Sequence, residues 1–229
     1  MRKNFLVYSE RDWAKQSALF IHNLIQEKVS ANQFCNVVLT GGRSAEKLYL
    51  EWANLSEFKE LTNVNFYLSD ERCVSSDDPD SNYGMILRTL FSKGIPNSCK
   101  IFQMFLEDLG VEKSIKRYEK LLPSKIDCML LGLGDDGHIA SIFPNDETIH
   151  QSLKKVTAVV GPFYPFNRLT LTPIAIKMAN SFCILVTQKS KIAVMKKIKD
   201  KNETPITLPI KLTLNANWIL NFELGDIVE

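Results

Sequence analysis

Residues 126–144, IDCMLLGLGDDGHIASIFP, hold a short apolar run, closely spaced glycines and a titratable side chain in one stretch. His138 directly follows Gly137, and an imidazole titrates near neutral pH, which suits it to take a proton in one step and return it in another. Gly132, Gly134 and Gly137 allow a tight turn and a close approach of backbone to a ligand. The spelling G-x-G-x-x-G invites a dinucleotide-binding reading, but the adjacent carboxylates of Asp135 and Asp136 would repel a pyrophosphate. The acidic ribose partner expected about twenty positions later is also missing, because residues 156–160 run into Gly161-Pro162. Asp135, Asp136 and His138 stand too close together to match a metal-ligand pattern. No metal and no other cofactor is expected, and Asp135 is expected to point to solvent.

Two other places carry candidate chemistry. Thr40-Gly41-Gly42-Arg43-Ser44 joins a short apolar strand, 36–40, to the helix-forming run AEKLYLEWA. Strand, glycine pair, serine and helix in succession offer free N–H groups and the positive end of a helix dipole, which makes an anion site. The spacing is not that of a Walker A loop. The second place is Ser69-Asp70-Glu71-Arg72, at the end of a strand over 65–68. Arg72 brings a fixed charge and forked donors suited to a phosphate or a polar substrate. Asp70 is expected to orient His138 or Arg72.

These residues need elements to hold them. The apolar run before Gly132 reads as a strand buried on both faces of a parallel sheet, so His138 follows a carboxyl end, where open α/β sheets bind ligands. Ser9 and Asp12 open a helix whose apolar positions are Trp13, Phe20, Ile21, Leu24 and Ile25, with His22 expected on its surface. Further strands are expected over 98–102, 156–160, 182–187 and 218–221, and helices from the 77–83 turn through Leu90, over 111–122, after Thr172-Pro173 and over 189–199. The lysines of the 189–199 helix read most simply as a solvated face. Strands and helices alternate without a repeat or linker, which predicts one layered α/β domain, 1–229, around a mainly parallel sheet.

Composition excludes several classes. The 229 residues are 45% hydrophobic and 24% charged with a net charge of +2, which lacks the basic excess of a nucleic-acid binder. The five cysteines form no C-x-x-C pair and imply a reducing compartment without disulfides. The apolar stretch near the N-terminus is too short for a signal peptide, and no run approaches a membrane span. A cytoplasmic protein is expected, without nucleic-acid or membrane partners, as a monomer or homodimer.

The run from Leu131 through Gly132, Gly134, Asp136, Gly137, His138, Ala140, Ser141, Phe143 and Pro144 resembles the signature of the 6-phosphogluconolactonase family. The related glucosamine-6-phosphate deaminases share Asp-Gly-His but continue into Ala-Phe-Asn-Glu-Pro, and the Glu of that motif is missing here. Thr40 to Ala45 resembles the family's Ser-Gly-Gly-x-[ST]-Pro, with Ala45 in place of proline. Asp70-Glu71-Arg72 and Ser81-Asn82-Tyr83 match its Asp-Glu-Arg and Ser-Asn-[YF]. Arg168 matches the arginine of Arg-[ILV]-Thr-[LM]-[ST], and Lys191 the lysine of Gly-x-x-Lys, with Gln188 replacing the glycine. The resemblance implies the fold shared with glucosamine-6-phosphate deaminase and ribose-5-phosphate isomerase, and hydrolysis of 6-phosphogluconolactone, a small sugar phosphate. On that basis His138, Asp70 and Arg72 are candidate catalytic residues. Gly41, Gly42, Arg43, Ser44, Arg72, Arg168 and Lys191 are candidates for the phosphate and hydroxyls. A sugar-phosphate isomerase or deaminase and a non-catalytic sugar-phosphate binder are the alternatives.

Overall fold

A computed structural model describes residues 4–213 and 215–223. The chain runs β1 (Asn4–Val7), α1 (Trp13–Asn32), β2 (Cys35–Leu39), α2 (Arg43–Ala53), β3 (Val64–Leu68), β4 (Asp70–Arg72), α3 (Asn82–Arg88) and β5 (Lys100–Ile101). It continues through α4 (Gly110–Leu121), β6 (Cys128–Gly132), β7 (Val156–Val160), β8 (Asn167–Leu171), α5 (Pro173–Ile176), β9 (Phe182–Val186), α6 (Ile192–Lys197) and β10 (Asn217–Leu220).

Seven strands form one sheet in the order β1-β10-β9-β6-β2-β3-β5, each adjacent pair parallel. All five residues of β2 are buried, as are the first four of β6 and the last four of β9, the pattern of strands covered on both faces. From β2 the chain moves outward through β3 and β5, then returns with β6 on the other side of β2. The order therefore reverses between β2 and β6, and the crevice outside their carboxyl ends is the place where such sheets bind ligands.

The expected parallel sheet is present, and a second sheet that the sequence reading did not foresee stands beside it. In this antiparallel sheet β8 lies between β4 and β7. Asp70–Arg72 is thus its edge strand rather than a charged turn. Ser69 links the two sheets: its N–H donates to Leu39 O at 2.8 Å and its carbonyl accepts from Leu171 N–H at 2.8 Å.

His22 is a correction. It lies in α1, which packs on α2, β2 and β10, and it is buried, with Nδ1 3.4 Å from Trp52 Nε1. Burial pushes its pKa below the usual imidazole value despite the charges of Glu57 and Glu60. The expected basic helix over 189–199 divides into a 3-10 turn, Lys189–Lys191, and α6. Cys35, Cys128 and Cys183 are buried free thiols in neighbouring strands.

Candidate active site

The carboxyl ends of β2, β6 and β9 and the start of β4 enclose a cleft of about 270 Å³. On its β2 side, Thr40 leaves the sheet with both backbone groups occupied: its N–H donates to the Tyr49 hydroxyl at 3.1 Å, and that hydroxyl donates to Thr40 O at 2.9 Å. Gly41 packs so tightly on Asn82 that a Cβ would overlap the Asn82 amide, which itself donates to Asp70 O at 2.9 Å. Gly42 is the N-cap of α2 and has no side chain to cap it, so the first-turn N–H groups receive no side-chain acceptor there. Arg43 and Ser44 line the cleft, with Ser44 Oγ 2.5 Å from Thr187 Oγ1 at the end of β9.

The β4 corner supplies Asp70 and Arg72. Asp70 is buried and accepts hydrogen bonds from Ser69 Oγ at 2.9 Å and Ser141 Oγ at 2.7 Å. It thereby ties β4 to the loop that carries His138. It does not hold the imidazole itself. Glu71 is more deeply set: its carboxylate accepts from the N–H groups of Arg72, Asn82 and Tyr83, each at 2.7 Å, and from Ser81 Oγ at 3.2 Å. Burial pushes Glu71 up to about 7 against those backbone donors, with the Asp70 charge adding to the rise.

Arg72 lines the cleft and donates from Nη1 to Asp80 O at 2.5 Å, while its buried Nε has no hydrogen-bond partner among the described residues. Arg168 faces Arg72 across the β4–β8 pair but does not line the cleft. Its guanidinium turns back, Nε donating to Pro165 O at 3.0 Å and Nη2 to Phe163 O at 3.1 Å, and lies 5.9 Å from the Phe143 ring centroid. Burial and the neighbouring Arg72 charge both lower its pKa.

His138 stands on the β6 side. Its Nδ1 lies 2.6 Å from Asp136 Oδ1, and its backbone N–H donates to the same oxygen at 3.0 Å. The Phe143 ring sits 5.0 Å from the imidazole centroid. Burial raises the Asp136 carboxyl, but the hydrogen bonds and charge of His138 outweigh it and hold it below the usual value. An ionised carboxylate only accepts, so this contact places the proton on Nδ1 and leaves Nε2 as the basic nitrogen. A Cβ at Gly134 would overlap the ring, so this glycine makes room for the imidazole.

The glycine turn engages its own N–H groups and so offers no oxyanion donor at Gly134 or Gly137: Gly134 N–H donates to His138 O at 2.9 Å and Gly137 N–H to Gly134 O at 3.1 Å. Across the mouth, Lys191 Nζ reaches Asp135 Oδ1 at 2.7 Å. Lys191 therefore faces inward instead of belonging to a solvated helix face. Asp135 is exposed, as its expected direction requires, yet it is paired.

The cleft thus gathers Gly41, Gly42, Arg43, Ser44, Asp70, Arg72, His138 and Lys191, and leaves Arg168 behind its wall. Sequence reasoning assigned no role to Asp136 or Asn82. The Ser-Asn-Tyr match was the available signal for Asn82, whereas nothing in the spacing told which of two adjacent aspartates would meet the imidazole. Among the described residues, no group of three or more His, Cys, Asp or Glu side chains is placed to hold a metal ion. A proton acceptor, an uncapped helix N-terminus and three cations, Arg43, Arg72 and Lys191, suit a proton-transfer reaction on a small anionic molecule.

Comparison with known proteins agrees with this geometry. The chain is 30% identical over 236 aligned residues to 6-phosphogluconolactonase 3 of Saccharomyces cerevisiae, covering 95% of this chain and 94% of that protein. It is 28% identical over 193 residues to the 6-phosphogluconolactonase of Pseudomonas aeruginosa, covering 80% of each. The crystal structure of 6-phosphogluconolactonase from Thermotoga maritima superposes with a TM-score of 0.81 at 26% identity, over 96% of this chain and 99% of the other. The family described as glucosamine-6-phosphate isomerases/6-phosphogluconolactonase matches residues 8–219, and the chain belongs to it.

Proposed function

We propose that this protein hydrolyses 6-phospho-D-glucono-1,5-lactone to 6-phosphogluconate, a step of the oxidative pentose phosphate pathway. The observation that carries the reading is the His138–Asp136 pair, which faces the same cleft as the uncapped start of α2. Water attacks the lactone carbonyl carbon as His138 Nε2 takes its proton, and Asp136 stabilises the imidazolium that forms. The tetrahedral intermediate collapses with cleavage of the bond from carbonyl carbon to ring oxygen. The imidazolium returns its proton to that oxygen, and the new carboxylic acid ionises.

The first-turn N–H groups of α2, with Arg43 and Lys191, take the phosphate. Arg72 lines the cleft, and its guanidinium is the donor assigned to the developing oxyanion. Asp70 acts through Ser141 as a positioning residue for the His138 loop. Arg168 supports the wall through Phe143, so its effect on substrate is indirect. Among the described residues, no helix is long and apolar enough to cross a membrane. The proposed setting is the cytoplasm, with residues 1–229 acting as one domain, as a monomer or homodimer, on a small sugar phosphate and without nucleic acid.

The test follows decay of freshly generated lactone against its spontaneous background. His138→Ala should lose about 10²- to 10⁴-fold in rate while still binding 6-phosphogluconate. Wild-type protein that binds the sugar phosphate but leaves decay at background would overturn the assignment. Enolisation at C2, read as solvent deuterium incorporation, would then indicate an isomerase or deaminase.

A further inference from the structure

The motif around His138 leaves one position between Gly134 and Asp136 free, and this chain fills it with a carboxylate. Asp135 Oδ1 accepts from Lys191 Nζ at 2.7 Å and from Ser190 Oγ at 3.2 Å. Both donors belong to the turn after β9, so the contact joins the loops of two adjacent strands across the cleft mouth. The two partners differ in setting: the Lys191 side chain is 12% exposed and fixed in the wall, whereas that of Asp135 is 72% exposed on the rim. The hydrogen-bonded ammonium holds the Asp135 carboxyl below its usual value, so Asp135 is a full anion at neutral pH. The Asp135 carboxylate therefore takes up one of the three donors of the Lys191 ammonium.

We propose that Asp135 is an internal counter-anion that competes with the phosphate of the ligand for Lys191. It weakens the hold on sugar phosphates and speeds release of the product. This rests on the lactonase reading for the identity of the ligand, and on the ion pair for everything else. Exposed pairs are individually weak, so a phosphate dianion can displace the carboxylate without a large penalty. The same weakness bounds the effect at roughly fivefold in affinity.

A double-mutant cycle on the full chain tests it, with 6-phosphogluconate binding by calorimetry and dissociation by stopped flow. Asp135→Asn should bind about twofold to fivefold tighter, through slower dissociation, and this gain should vanish when Lys191→Met is also present. Unchanged or weaker binding in Asp135→Asn would mean that the carboxylate merely orients the lysine, and would overturn the proposal. A gain that persists without the lysine would replace competition with a general charge effect. Failure of every form to bind 6-phosphogluconate would overturn it as well. Lactone decay measured alongside separates the two readings: binding that follows the predicted cycle without hydrolysis sinks the lactonase assignment and leaves the competition standing.

Discussion

A methyl group at Gly134 would enter the space of the His138 imidazole. Gly134→Ala should therefore push the ring off Asp136 while leaving the strands intact, since Gly134 does not lie in the left-handed backbone region. A misplacement of about 1 Å costs on the order of 10²-fold, so kcat for lactone decay should fall by about that much. The thermal unfolding midpoint should move little, and a variant with a near-normal kcat would refute the claim. The sequence located this glycine but gave a different reason for it. G-x-G-x-x-G reads as backbone making way for a ligand, whereas at Gly134 the approaching group is the chain's own histidine. Asp136 was legible as a charge hostile to pyrophosphate and as a fixed position of the family signature, without a role. Its role depends on the turn at Gly137, φ 92°, which brings residue 138 back over residue 136, and spacing alone does not encode that turn.

Between β4 and α3 one carboxylate adds several bonds to that from the Asn82 amide to Asp70 O. Glu71 reaches from the edge strand to the first N–H groups of α3, so it fixes the start of the helix and the backbone of Arg72 together. Glu71→Gln would set an amide N–H₂ against a buried N–H donor. The expected cost is about 1–3 kcal/mol of unfolding free energy, read from a denaturant midpoint at constant slope. Undiminished stability would show that the corner can rearrange. The charged triplet at 70–72 illustrates how far the sequence carries. Strand β3 and the later helix were readable from apolar runs and turn residues, but burial of Asp70 and Glu71 comes from pairing with β8, far along the chain. Arg168 meets the same limit: its family motif gives a residue type, and only its hydrogen bonds show the guanidinium turned toward Phe163 and Pro165.

Across the whole molecule, two buried groups pull stability in opposite directions with pH. The folded-state pKa of His22 is lowered, so below about pH 6.5 the unfolded chain takes up a proton that the folded chain resists, and stability falls with acid. Glu71, raised to about 7 from 4.5, favours the folded state at low pH and loses that contribution as pH rises through about 7. Urea unfolding between pH 5 and 8 should thus show His22→Leu losing less stability than wild type on the acid side. An identical slope in both proteins would remove His22 from the account. The alternation of strands and helices made the parallel sheet legible. The strand order and the small second sheet were not, because periodicity records which face is buried and says nothing of what covers it.

Tyr49 of α2, whose hydroxyl meets Thr40 just past β2, has a consequence for ligand choice. Its hydroxyl uses up the N–H and the carbonyl of Thr40, a residue that lines the cleft, and the glycine turn before His138 consumes the N–H groups of Gly134 and Gly137. A polyhydroxylated molecule entering this cleft therefore finds these four backbone groups already engaged and must be read by side chains and by the start of α2. The groups still able to answer stand at the start of α2 and on Arg72, His138 and Lys191, and a ligand that meets them together is oriented before any chemistry begins.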